Sequence, residues 1–502
     1  MTALGTRVTF PIRANAADKI RPPETSDQRL WRTYGKVLGV LVVLYLFFDR
    51  GFAHFHIPHT PAYVGELVIA FGIVCAALST RWVRIALSGD PLIAVAIAWM
   101  IWGALRTIPN MPIFGIQNAV HDAALWYYTF FALLFITAAT AAPDLTQWWL
   151  RWFSRLLPAL SVWLLTTLLL NKLGVKGPTF RFNNVPFLSH KPGNVCVAAL
   201  LCLAFLWLVP VINFRRFARI ALSMLNLVTI VFGATQTRGG GLAAAIAIVI
   251  GLVIIGRRQR SAVTLGLMAT LVLGFGLASL SGAALHTRER TISVSQLVQN
   301  IESFGFGHAS SSNPQLQGTE NFRFSLWSKI YDEQRSSGHL VDGFGFGPNL
   351  ANIGGVSASK SQTQTLSLRS AHNSPLDVFA RTGIIGAALW LMMFLGWFRR
   401  MWRSHRRYRA DGNEADRGLI DFCMIGTVAI IVNSIFDPTL EGAQVAAVLF
   451  ALFGIGVLCA RRPILGQDAD ENNDTTDSES LAPKLRAGFK HVLANPTASA
   501  RV

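Results

Sequence analysis

The residues of this sequence best suited to chemistry are one histidine and a small set of arginines and lysines. Thr235-Gln236-Thr237-Arg238-Gly239-Gly240-Gly241 forms a very tight turn between two apolar stretches, and its glycines let backbone N–H groups approach a ligand closely. Arg238 there faces the outer boundary of a bilayer, where it either holds an anion, snorkels to lipid phosphate or caps a helix C-terminus. The second candidate is Ser370-Ala371-His372-Asn373-Ser374-Pro375-Leu376-Asp377. Ser374 followed by Pro375 reads as an N-cap and first helical residue, which puts His372 just outside a helix N-terminus. Helix polarity opposes a second positive charge there and favours the neutral imidazole, the form that accepts a proton from a hydroxyl. The plainer alternative is a histidine that only hydrogen-bonds the end of a loop.

Cations on the outer side need an explanation, because Lys and Arg are disfavoured there. Lys172, Lys176, Arg181, Lys191, Arg238, Arg323, Arg335 and Arg369 are such residues. Several around one mouth make an anion site, and guanidinium forks suit a phosphate or diphosphate of the kind a polyprenyl-linked sugar carries. The sequence offers no HExxH, Cys/His cluster or P-loop. Arginine would then stabilise a leaving diphosphate without a metal, and no cofactor is expected. His286, His308 and His339 have weaker context.

The elements that must position these residues are membrane spans. Of the 502 residues 52% are apolar, mean hydropathy is +0.41, and charged residues are only 14%, against roughly 25% in soluble proteins. A net charge of +18 sits in short clusters between apolar runs and forms no continuous stripe, so nucleic acid is a poor partner. The five cysteines lie inside apolar runs and supply no disulfide framework.

Runs of about 20 apolar residues predict about twelve spans, near 37–52, 63–79, 91–106, 122–142, 155–171, 193–213, 218–235, 240–256, 262–281, 376–398, 418–436 and 442–460. The stretch 112–121 is too short and polar to span and reads as a surface or re-entrant piece. Basic residues collect in 1–36 and in every second loop afterwards, which predicts that both termini are cytoplasmic. No signal peptide is expected.

The chain therefore divides into a cytoplasmic segment 1–36, spans 1–9 within 37–281, a large outer segment 282–375, spans 10–12 within 376–460, and a cytoplasmic, largely disordered tail 461–502. In the outer segment Ile292, Leu297, Val298, Ile301 and Phe304, then Phe322, Leu326, Trp327, Ile330 and Tyr331, recur at helical spacing. They predict two amphipathic helices lying as a cap, or simply packing the loop onto the bundle.

With these residues in place, the chain resembles the O-antigen ligase and polymerase superfamily of bacterial membrane glycosyltransferases over roughly 180–460. The pattern is an Arg-Gly-Gly turn, here Thr237-Arg238-Gly239-Gly240-Gly241, one more helix, then a large periplasmic loop. That loop holds Arg323-Phe324-Ser325-Leu326-Trp327 and Gly343-Phe344-Gly345-Phe346-Gly347. It closes on His372-Asn373-Ser374-Pro375-Leu376, which runs into a helix with Gly383 and Gly386.

The resemblance implies an all-α, polytopic, GT-C-like enzyme of the bacterial inner membrane with its active site facing the periplasm. It implies metal-independent, inverting transfer of a glycan from undecaprenyl diphosphate to an acceptor hydroxyl, with membrane lipids as surroundings. By motif, Arg238 and Arg323 would hold the diphosphate and His372 would orient or deprotonate the acceptor; Arg181 and Lys191 are helpers by position. One large loop beside a modest one at 172–192 favours a ligase, whose acceptor is a lipid A–core sugar. A polymerase or a protein O-oligosaccharyltransferase of the same superfamily is the alternative. A twelve-helix secondary transporter fits less well: its largest loop would lie cytoplasmically between two similar halves, and its spans would carry more carboxylates.

Overall fold

The computed structural model describes residues 24–57, 62–175, 177–179, 186–211, 214–254, 314–353 and 369–465, with a strand pair at 285–286 and 291–292. The predicted span at 262–281, most of 1–36, and the tail beyond 465 lie outside the described residues.

The described chain is helical except for that antiparallel pair, β1 (Leu285–His286) with β2 (Thr291–Ile292). The helices are α1 (Ser26–Ala53), α2 (Val64–Leu78), α3 (Thr80–Leu87), α4 (Pro91–Thr107), α5 (Met111–Phe114), α6 (Ile116–Asp122), α7 (Ala124–Tyr127), α8 (Phe130–Ala141) and α9 (Leu145–Lys172). They continue as α10 (Pro192–Leu208), α11 (Arg216–Gln236), α12 (Arg238–Ile254), α13 (Pro314–Ser336), α14 (Leu350–Ile353), α15 (Ser374–Ala410), α16 (Glu414–Phe436) and α17 (Ala443–Arg461).

Among the described residues seven helices are long and apolar enough to cross a membrane, or eight if α2 and α3, bent by 100°, are one span. The protein is a multi-pass membrane protein. The segment 112–121 lies in the short helices α5 and α6, and its first three residues end the candidate span Pro91–Phe114. Of the two amphipathic helices expected in the outer segment, the second is α13. Ile292 of the first lies in β2, and Leu297, Val298, Ile301 and Phe304 lie outside the described residues.

The core is a continuous apolar cluster through α1, α4, α8, α9, α10, α15, α16 and α17, with α17 the most enclosed: 94% of its apolar window is buried. A helix buried on all sides must be apolar all round, and Val445–Ala460 is. Arginines gather at one end of the bundle, where Arg32 pairs with Asp144 and both Arg400 and Arg461 pair with Asp90.

At the opposite end α15 breaks at Gly383, which takes a φ of +67°. The break strips the carbonyls of Ala380, Arg381 and Thr382 of helical partners, and buried carbonyls must find others. The segment 340–345 and Trp102 supply them. Phe344 N donates to Ala380 O (2.8 Å), Gly345 N to Arg381 O (2.8 Å) and Trp102 Nε1 to Thr382 O (2.9 Å); Ile384 N in turn donates to Leu340 O (3.0 Å). Gly343, at φ +74°, passes so close to the Arg381 carbonyl that a Cβ would collide with it. The Gly-aromatic-Gly stretch is thus the strap that repairs the kink in α15.

Candidate functional site

The helix that carries the candidate histidine begins one residue earlier in its cap than the sequence suggests. Asn373, not Ser374, is the N-cap of α15: its Oδ1 accepts from Leu376 N (3.0 Å). Ser374 is instead drawn away by Leu440 N, which donates to its Oγ (3.4 Å). His372, just before the cap, has a left-handed backbone with φ +57°, a conformation uncommon outside glycine. The neighbouring groups over-determine it. Ala371 N donates to Asp377 Oδ1 (2.6 Å), His372 N to Ser370 Oγ (3.3 Å), and Trp327 Nε1 to Ala371 O (2.8 Å). Strain of this kind persists only where the surroundings hold it.

Trp327 belongs to α13, whose Leu326 and Ile330 are fully buried with Leu350, Ala371 and Ala380 in a small cluster of their own. The helix therefore lies over the His372 turn as a cap. Arg323 sits one turn before Trp327, and its charge acts on the His372 imidazole.

The second half of the site comes from α10, α12 and α16. Lys191 precedes the proline that opens α10, and its Nζ lies 2.7 and 2.8 Å from the two oxygens of Asp437, the residue that follows α16. Lys191 N donates to Asp49 Oδ2 (2.8 Å) and Asn194 Nδ2 to Asp49 Oδ1 (2.9 Å). Asp49 thus ties the last turns of α1 to the start of α10, with its charge at that helix's N-terminus.

Arg238 is the first residue of α12, and only its backbone position is described. A Cβ added to Gly239 would lie 2.5 Å from Phe436 Cβ, and one on Gly240 2.5 Å from Gly193 Cα. Gly239 and Gly240 allow α12 to touch α10 and the end of α16, at Gly193 and Phe436. Arg181 lies outside the described residues.

Electrostatically the pieces converge on the imidazole. Burial lowers the His372 pKa below the ordinary histidine range; Arg323 and Lys191 lower it further, and Asp437 opposes them. Two of the cations expected at the diphosphate, Arg323 and Lys191, are therefore within electrostatic reach of His372. Arg369, the other outer cation at this turn, is committed elsewhere: its Nη2 donates to Asp122 Oδ2 (2.9 Å) and to the Gly347 carbonyl. Asp437 and Asp122 escaped the sequence reading, which looked for outer cations without asking which outer carboxylates would pair with them. Among the described residues no three His, Cys, Asp or Glu side chains group to hold a metal ion.

The family model described as O-antigen ligase matches residues 220–391. The match supports a relation of that segment to the O-antigen ligase and polymerase superfamily. The O-antigen ligase match runs from α11 through the kink of α15, so it contains Arg238, Arg323 and His372 but neither Lys191 nor Asp437. The superfamily supports glycosyltransferase-type activity on lipid-linked glycans in a membrane environment. No curated protein matches the chain.

Proposed function

We propose that the protein is an O-antigen ligase of lipopolysaccharide biosynthesis, moving glycan from undecaprenyl diphosphate to a lipid A–core sugar hydroxyl at the periplasmic face of the inner membrane. The observation that carries this reading is the juxtaposition of a half-buried imidazole, lowered in pKa, with the cations Arg323 and Lys191 at the end of the bundle where α10, α12 and α15 begin. On this reading both termini are cytoplasmic and the bundle is a GT-C-like set of about twelve spans.

The chemistry is a single displacement. The acceptor oxygen forms a bond to the anomeric carbon as the bond from that carbon to the diphosphate oxygen breaks, with inversion. The electron pair leaves on the diphosphate, whose growing charge Arg238, Arg323, Lys191 and Arg181 stabilise. His372 takes the hydroxyl proton as neutral imidazole. Three helix N-termini at the same end add positive potential where the anion would lie.

The test is transfer in proteoliposomes from a defined polyprenyl-diphosphate glycan, with lipid A–core, a second lipid-linked repeat and a protein as competing acceptors. Product on lipid A–core that disappears in His372→Ala supports the ligase reading. Product only on a second repeat or a protein reassigns the chain within the superfamily, and no glycan transfer to any acceptor rejects the reading.

A further inference from the structure

The turn carrying His372 and the turn carrying Asp437 are joined by two carboxylic acids that the displacement does not use. Asp377, in the first turn of α15, is fully buried; one of its oxygens receives Ala371 N. Glu441 ends the short 3-10 turn Thr439–Glu441, four residues after Asp437. Each carboxyl acts on the other, and their turns meet where Leu440 N, next to Glu441, donates to Ser374 Oγ (3.4 Å). Asp377 Oδ2 and Glu441 Oε1 are both shielded from solvent, and neither receives an N–H or O–H from the described residues. Two carboxylates cannot sit like this with both charges on; such pairs keep a proton between them.

The cation nearest both is Arg381, whose charge they share with Asp122 and whose Nε has no partner among the described residues. Buried Arg381 gives Nη1 to Asp122 (3.0 Å) and to Pro348 O, and Nη2 to Arg369 O. The other charged groups facing the pair are Asp122 and His121.

We infer that Asp377 and Glu441 share one proton in a carboxylic acid–carboxylate hydrogen bond that locks the His372 turn to the Asp437 turn. Both are then positioning residues for the imidazole and for the Lys191–Asp437 ion pair. The Leu440 N to Ser374 Oγ bond runs beside this lock and closes the same gap. Burial and the neighbouring Asp377 charge, reinforced by Asp122 and opposed by Arg381 and His121, push Glu441 up to about 8. The lock therefore opens in mildly alkaline solution, when the shared proton leaves and two like charges face each other.

The inference rests on the proposed transfer only for its consequence, so the test has two arms. In the first, amide hydrogen exchange over 369–373 and 437–442 is compared between wild type and Glu441→Gln in detergent, from pH 6 to 9.5. The amide of Gln donates the same bond without titrating. Wild-type protection should fall relative to the variant above about pH 8, and identical pH dependence in the two proteins overturns the lock.

In the second arm, glycan transfer by the wild type should lose about tenfold per pH unit beyond that midpoint, a limb that Glu441→Gln removes while Glu441→Ala lowers turnover at all pH values. An alkaline limb that survives in Glu441→Gln overturns the positioning role. A wild type inactive with every donor and acceptor rejects the glycosyltransferase reading and, with it, the positioning role, while the exchange arm still decides the lock.

Discussion

Asp122 Oδ2 lies 3.0 Å from Arg381 Nη1, both side chains being essentially buried. The pair joins α6 to the first turns of α15. Removing one partner of a buried ion pair strands the other charge, which costs about 3–5 kcal/mol. Asp122→Asn should therefore lower unfolding stability by that order, read by denaturant or thermal unfolding in detergent. Arg369→Ala, removing a partner that is 21% exposed, should cost clearly less. An Asp122→Asn protein as stable as wild type would show that α15 is anchored by its carbonyl repairs alone. The pH dependence has a definite sign. Arg381, with His121 and Arg369, holds Asp122 well below the usual carboxylate range against the cost of burial. Its stabilisation is complete above about pH 4, the unfolded value, and is lost as pH falls toward the depressed folded value.

His372 gives the second prediction. Transfer needs the neutral imidazole, so kcat/KM should fall as pH drops through a midpoint below the ordinary histidine value, about 6.5. Arg323→Gln removes a cation that holds the midpoint down and should raise it; Asp437→Asn removes the opposing anion and should lower it. The readout is the acid limb of kcat/KM in each variant. A midpoint that ignores Arg323 would remove Arg323 from the neighbourhood of the reacting proton.

How much of this was legible in the sequence divides along a physical line. Apolar patterning depends on near neighbours in the chain, and it found the candidate spans of α9, α11, α15, α16 and α17 and the apolar face of α13. The pairing of distant turns does not. Asp437 meets Lys191, Asp49 meets the start of α10, and Leu440 meets Ser374 because segments far apart in sequence converge at one end of the bundle, and no local pattern encodes that. The Ser374-Pro375 pair predicted the start of α15 to within one residue, but the hydroxyl had a competitor in Leu440 N. The triple glycine was recognised as special for backbone approach; what approaches is Gly193 and Phe436.

Lys191 and Asp437 yield a prediction that separates binding from stability. Their side chains are 28% and 33% exposed, so the ion pair itself contributes only about 0–1 kcal/mol. Lys191→Met should leave unfolding almost unchanged yet lower kcat/KM for the lipid-linked donor roughly 10- to 100-fold, by loss of one cation from the diphosphate. Lys191→Arg should recover part of it. A large fall in stability with little change in donor kinetics would make this pair a tie between α10 and α16 and nothing more.

Gly240 tests whether the position of Arg238 is set by helix contact. An alanine there would place its Cβ 2.5 Å from Gly193 Cα and 3.1 Å from Gly193 O, backbone atoms that cannot swing aside as a side chain would. The helices must separate, and overpacking of this kind costs about 1–3 kcal/mol. Because Gly193 is two residues from Lys191, the same displacement moves Arg238 away from the other cations. Gly240→Ala should therefore lower transfer more than its loss of stability explains, measured as kcat per folded molecule. Arg238→Lys makes the complementary change, keeping the backbone and the charge while losing the planar fork, and should be as severe. A Gly240→Ala protein with wild-type turnover would show that close contact between α10 and α12 is not what sets the anion site.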